Sequence, residues 1–286
     1  MQREGHMRAI LLFLLLISLV ACGGGGGSSP APEPEPQPPV AQPPVSDPPT
    51  DTEVPEEEVT QIDVLVVLGQ NADRFFADVD QRVQHTINLM NDAMDVGEVP
   101  VYFNIVHTVQ TSYPEAIDTK TALEDITYAR HSSLANIHRL RDTYRADVVI
   151  FYRRSVNDGF CGRAWLGGNG TNGDMSGYED FAYGVVAIDC PDPVTAHEIG
   201  HIMGLDHDEN TSPINQGTFP YSRGFAVQGS FVTIMGESSN NGGVARLPMF
   251  SSPEYYCAGF TCGIPDEVDA IRSIKNVYEQ IANYRN

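Results

Sequence analysis

The chain has 286 residues and a formal net charge of −21, from 38 Asp and Glu against 17 Lys and Arg. That acid excess repels polyanions, so nucleic acid and anionic lipid headgroups are set aside as partners. The length admits one large domain or two small ones.

Residues 1–21 read as an export signal. Arg3 and Arg8 supply positive charge, and Ala9 to Ala21 form an apolar run broken only by Ser18. The run is too short for a membrane-spanning helix, which needs about 20 apolar residues. Met7 is an equally good start, because the segment from there is a complete signal. The run ends in Leu19-Val20-Ala21-Cys22, which resembles the lipobox of bacterial lipoproteins. The resemblance implies cleavage before Cys22, acylation of that cysteine, and an exported chain anchored to the outer membrane or cell surface.

Residues 22–59 change character abruptly. Five glycines after Cys22 lead into the Pro/Glu tract Pro30 to Pro36 and then Glu56-Glu57-Glu58. Nothing apolar is available there to offset the entropy of ordering, so the segment reads as a tether of flexible glycine and extended proline. It holds no cysteine beyond Cys22 and so offers no candidate for cysteine-switch latency. Residues 60–286 then form the folded domain, which keeps 15 Lys and Arg against 29 Asp and Glu. Its acidity is read as solubility.

Ile62 to Leu68 is a near-continuous apolar run of the buried parallel-strand type. Phe76, Val79, Val83, Ile87, Met90 and Met94 recur at helical steps. Val101 to Val109 is a second strand. Leu123, Ile126, Leu134, Ile137, Leu140 and Tyr144 mark another helical stripe, interrupted at Arg130. His131 and His138 lie beside that stripe and read as surface residues. Asp147 to Tyr152 is a third strand, Cys161 to Leu166 an edge strand, and Tyr183 to Ile188 a further apolar piece. The Gly/Asn/Asp-rich loop from Gly167 to Tyr178 matches no Ca²⁺-loop spacing and reads as solvated. A final helical stripe, Val268, Ile271, Ile274, Tyr278 and Ile281, is opened by Pro265 with Asp266 and Glu267 at its positive end. The β-α-β-α-β order argues for an α/β (α+β) domain with a mostly parallel, twisted sheet and helices on its faces.

The cysteines beyond Cys22 are Cys161, Cys190, Cys257 and Cys262, an even set that suggests two disulfides in an oxidising compartment. Of the three possible pairings, Cys161–Cys190 and Cys257–Cys262 is favoured. A structural metal at the C-x₄-C pair, Cys257 and Cys262, is the rival.

The stretch that organises the chain is His197-Glu198-Ile199-Gly200-His201-Ile202-Met203-Gly204-Leu205-Asp206-His207-Asp208. His197 and His201 are four apart and share one helix face, so two neutral imidazoles can reach one metal ion. The helix begins near Pro193 with Asp192 as its cap, and Gly204 ends it in a left-handed turn. The turn returns His207 as a third nitrogen ligand. Three protein ligands leave the fourth position of Zn²⁺ open, which marks a catalytic site. Glu198 stands where its carboxylate can take a proton from water on the metal.

This extended pattern resembles that of the metzincin zinc endopeptidases. Asp208 directly after the third histidine is similar to the adamalysin (reprolysin) branch, where astacins carry Glu and matrixins Ser. Met235, in Thr233-Ile234-Met235-Gly236, looks like the methionine of the metzincin Met-turn. The resemblance implies an N-terminal sheet-and-helix subdomain, the zinc helix in a cleft, and a smaller, irregular C-terminal subdomain ending in a helix. It also implies that extended protein or peptide substrates add as a strand along the edge at Ala164, Trp165 and Leu166. The sequence departs from astacins in placing Gly236 and Glu237 after Met235, where those enzymes bring a tyrosine near the metal. The segment around Arg246-Leu247-Pro248 is the candidate specificity wall, which pattern alone does not place. The reading is a zinc endopeptidase in which Glu198 is the general base. The alternative is a surface-anchored binding or adhesion lipoprotein with a non-catalytic zinc site, which would have no need of Glu198.

Overall fold

The computed structural model describes residues 58–74 and 76–285. The signal segment 1–21, Cys22 and all but the last two residues of the 22–59 tether lie outside the described residues. Among those described, no helix is long and apolar enough to cross a membrane.

The central sheet has five strands: β1 (Thr60–Leu68), β2 (Val101–Gln110), β3 (Val148–Arg153), β4 (Gly162–Ala164) and β5 (Tyr183–Ala187), in the order β2-β1-β3-β5-β4. The first three and β5 run parallel, and β4 is antiparallel to β5 at the edge. Helices cover both faces, which is why β3 and β5 are buried along their whole length and β1 along most of it, whereas β2 at the edge is more polar and partly exposed. In β1, Ile62, Val64, Val66 and Leu68 enter one core while Leu65 and Val67 enter the other. The first core takes residues from α1 (Val79–Val96), α4 (Val194–Ile202) and α5 (Ala270–Ile281); the second takes them from α2 (Thr119–Tyr128) and α3 (Ile137–Thr143).

After α4 the chain forms smaller pieces. A three-stranded sheet joins β6 (Ala226–Val227), β7 (Phe231–Val232) and β8 (Ala245–Arg246), and the hairpin of β9 (Ser252–Cys257) and β10 (Phe260–Cys262) precedes α5. Disulfides pair Cys161 with Cys190 and Cys257 with Cys262. The first ties the residue ahead of β4 to the segment entering α4.

Several local expectations are corrected. The stripe from Leu123 to Tyr144 is two helices joined by a 3₁₀ turn at Ser132–Leu134, because Ala129 takes a left-handed φ of 49° and breaks the ladder. His131 and His138 are not free surface residues: His131 Nδ1 accepts from Ser133 N–H at 3.2 Å, and His138 Nε2 lies 3.2 Å from the Ile126 carbonyl. Asp192 does not cap α4, whose N-terminal flank is Pro193 without a side-chain cap. The Asp192 carboxylate instead binds the Arg82 guanidinium and sits 3.1 Å from His85 Nε2, clamping α1 to the approach to α4. The last helix starts at Ala270, later than Pro265, because Asp269 accepts from Arg272 N–H and supplies the cap. Pro265 and Asp266 belong to the turn before it, where Ile264 bridges to Val268.

Candidate metal centre

Helix α4 is short and carries the first two histidines on its inner face, with His197 only 3% exposed. It is positioned by packing in the first core and by Tyr152 of β3, whose hydroxyl lies 2.8 Å from Thr86 Oγ1 on α1 and 3.0 Å from Thr195 Oγ1 on α4. Gly204 ends it with φ +83°, and Leu205 N–H donates back to the Gly200 carbonyl at 3.0 Å, the closure of a left-handed helix terminus. The turn that follows is held by Asp206, which accepts from His207 N–H, Ser212 Oγ and Gln216 N–H, each at 2.7 Å. That turn swings His207 back over the helix.

The Nε2 atoms of His197, His201 and His207 stand 3.1, 3.1 and 3.2 Å apart. His197 Nδ1 lies 2.8 Å from the Ile234 carbonyl, and His201 Nδ1 lies 2.8 Å from the Leu205 carbonyl. A carbonyl only accepts, so each Nδ1 carries the proton and each Nε2 a lone pair. The close approach of His197 and His201 is therefore two lone pairs facing one another, not a hydrogen bond. A cation relieves it: tetrahedral zinc with Zn–N of about 2.0–2.1 Å requires nitrogens roughly 3.3 Å apart. Burial, the largest cause, lowers the pKa of all three rings, His201 to about 3, which keeps them neutral and able to ligate. Among the described residues, these three form the group of His, Cys, Asp or Glu side chains able to hold a metal ion. Their donor set, three imidazole nitrogens, fits zinc.

Glu198 is 3% exposed, and its carboxylate lies against Gly162 of the edge strand. Its Oε2 is buried without a hydrogen-bond partner. Burial, aided by the negative charge of Glu237, pushes the carboxyl up to about 8, against the pull of Arg246 and Arg163. Gly162 of β4 makes room for it. A Cβ built there would overlap Glu198 Oε1 and stand 2.7 Å from Cδ and 2.8 Å from Cγ.

Met235 is fully buried, and a Cβ on Gly200 of α4 would overlap its sulfur, so the methionine lies directly beneath the histidine helix. The turn is closed by Gly236 N–H donating to the Thr233 carbonyl at 2.9 Å. Asp208 binds this turn to the histidine loop. It is 1% exposed and accepts from Asn210 N–H, Asn241 Nδ2, Thr211 Oγ1 and Glu237 N–H at 2.8–3.1 Å. Replacing Asp208 by Ala is expected to cost about 3 kcal/mol of stability, from the lost charge-assisted bonds and the donors left unpaired. Urea unfolding of the two proteins, alongside their metal content, measures it.

The edge-strand residues divide. Ala164 packs against the first core beside Gly184, whereas Trp165 turns to the second, where its indole N–H donates to Thr127 Oγ1 at 2.8 Å. Among the described residues, the outer main-chain edge of β4 has no strand neighbour in the sheet. In the Gly167–Tyr178 loop, Asp174 Oδ1 accepts from Ser176 N–H and Oγ, and Asp180 pairs with Arg285.

Three participants at this site carry no motif. Gly162 is invisible in sequence because its role is the space it leaves. Glu237 was noted only for not being tyrosine; its Oε1 stands 3.5 Å from His197 Nε2 and 3.8 Å from His207 Nε2. Arg246 faces the same carboxylate oxygen at 3.3 Å.

The family description Metallo-peptidase family M12 (Reprolysin_5) matches residues 59–251, well over half of the chain. The chain belongs to metallo-peptidase family M12. Curated relatives of this M12 chain include a peptidyl-Asp metalloendopeptidase of Pseudomonas aeruginosa, 31% identical over 73% of this chain and 37% of its own length. A second, of the same name from Xanthomonas campestris, is 28% identical over 78% of this chain and 52% of its own. The chain thus spans about half or less of these relatives' length. Among solved structures, a chain in a chaperone-substrate complex matches with a TM-score of 0.62 and 23% identity, covering 80% of this chain and 35% of that one. That likeness supports the fold alone.

Proposed function

We propose that this M12 chain is a zinc endopeptidase that cuts extended protein substrates at bonds next to acidic residues. The observation that carries the reading is the convergence of three imidazole Nε2 atoms beside a buried carboxylate whose Oε2 has no hydrogen-bond partner. The names of the relatives add the aspartyl preference.

His197, His201 and His207 would hold the metal. When bound, zinc supplies a Lewis acid that acidifies water and polarises a carbonyl. Glu198 takes the proton of the attacking water and delivers it to the leaving amine. Burial and Glu237 raise the proton affinity of the Glu198 carboxyl while Arg246 and Arg163 lower it, so the group can both take up a proton and return it. The open edge of β4 aligns the substrate main chain by strand addition, with Ala164, Trp165 and Leu166 supplying the backbone groups. Met235 and Asp208 hold the ligand loop and the turn beneath it in register. Export and membrane attachment through Cys22 complete the reading.

The test is digestion of casein by the full chain, with metal content measured on the same samples. Cleavage that stops with a zinc chelator and returns with added zinc supports the proposal. Bound zinc without cleavage of casein or of a peptide library would shift the balance to a surface binding lipoprotein.

A further inference from the structure

We propose that Arg246 recognises an acidic side chain on a residue adjoining the bond to be cut, and that Glu237 occupies Arg246 until such a substrate arrives. The proposal rests on the peptidase reading and assigns its specificity.

Arg246 lies on β8, and its side chain is only 16% exposed. A cation so far out of water requires an anion beside it. That anion is Glu237, whose Oε1 is 3.3 Å from Arg246 Nη2. The same oxygen stands 3.5 Å from His197 Nε2. Arg246 is therefore one carboxylate away from the ligand triad, within reach of a side chain adjoining the scissile bond.

Glu237 is held in two different ways at its two ends. Its main chain is fixed, because its N–H donates to Asp208 Oδ2 at 2.8 Å. Its carboxylate is 31% exposed and meets Arg246 through one oxygen at 3.3 Å, a looser arrangement than the four donors on Asp208. The side chain can leave while the turn stays. An aspartyl side chain would then take the place of Glu237 on Arg246, exchanging one anion for another and never leaving the half-buried guanidinium unpaired. A neutral side chain offers no such exchange, and Glu237 stays in the way. Selectivity thus comes from a repulsive element as well as an attractive one.

The second cation beside Glu198 is Arg163, whose guanidinium lies 4.2 Å from the centre of the Phe160 ring. It belongs to the edge strand, away from Glu237, and serves as the comparison.

The experiment uses the full chain loaded with zinc and two pairs of peptides, each pair differing only in Asp or Asn, placed before the cut in one pair and after it in the other. Wild type is expected to favour Asp. In Arg246→Gln the Asp-to-Asn ratio of kcat/KM should fall by about 10-fold or more, because a partly buried charge pair is lost. Arg246→Lys should fall between the two, and Glu237→Gln should narrow the ratio by admitting the Asn peptide. Calorimetric binding of the same peptides to Glu198→Ala and to Glu198→Ala/Arg246→Gln repeats the comparison without turnover. An Asp-to-Asn ratio that Arg246→Gln leaves unchanged in both arms overturns the proposal, as does a ratio that moves with Arg163→Gln instead. If wild type cuts neither the peptides nor casein, the peptidase reading fails, and the binding arm still decides the role of Arg246.

Discussion

Replacing Glu198 by Ala should lower kcat/KM by about 10³- to 10⁴-fold while leaving the bound zinc in place, the scale at which general bases contribute. The three nitrogens that converge belong to other side chains, so metal content measured by atomic emission should not change. Stability should not fall either. Glu198 Oε2 is buried with no hydrogen-bond partner, so the substitution removes an uncompensated polar group and leaves no donor orphaned. A variant that is inactive, fully loaded and at least as resistant to urea as wild type would place the carboxylate in the chemistry and not in the scaffold. Retention of wild-type rates would end the general-base assignment, and loss of zinc would mean that Glu198 supports the ligands.

Gly162→Ala should be the second most damaging change, though the residue donates nothing. Its added carbon would overlap Glu198 Oε1 and lie 2.7 Å from Cδ, so the carboxylate must move. A displacement of about 1 Å in a reacting group can cost on the order of 10²-fold in rate, and a loss of that size in kcat/KM is expected. Gly184→Ala is the milder comparison, since its Cβ would stand 3.2 Å from Ile150 Cδ1 and 3.5 Å from Glu198 Cβ. Quenched-fluorescence peptide assays on both variants, with zinc content in parallel, separate displacement of the base from loss of metal. Equal activity of Gly162→Ala and wild type would show that Glu198 works from another position.

The conclusion from the sequence and the conclusion from the structure rest on different physics. Helical spacing alone puts His197 and His201 on one face, since it is a property of the backbone repeat, and glycine at 204 announces the left-handed turn that returns His207. Apolar runs such as Ile62–Leu68 and Asp147–Tyr152 disclose a sheet covered on both faces, because no strand open to water on one side can be apolar throughout. Cap positions were less legible. Asp192 and Pro265 have the composition of helix starts, but Asp192 is taken by Arg82 and His85 from a distant helix, and Asp269 caps the last helix better placed.

The cluster of His197, His201 and His207, the neighbouring carboxylate of Glu198 and the parallel sheet that carries them are legible along the chain, because each is a local or periodic pattern. Tertiary structure alone decided what surrounds them: that Gly162 clears space for Glu198, that Asp208 fastens the histidine loop to the Met235 turn, and that Glu237 stands between the triad and Arg246. Gly162 and Glu198 are 36 positions apart, Asp208 and Glu237 29, and His197 and Glu237 40, and no spacing rule along the chain encodes a distance that only packing sets.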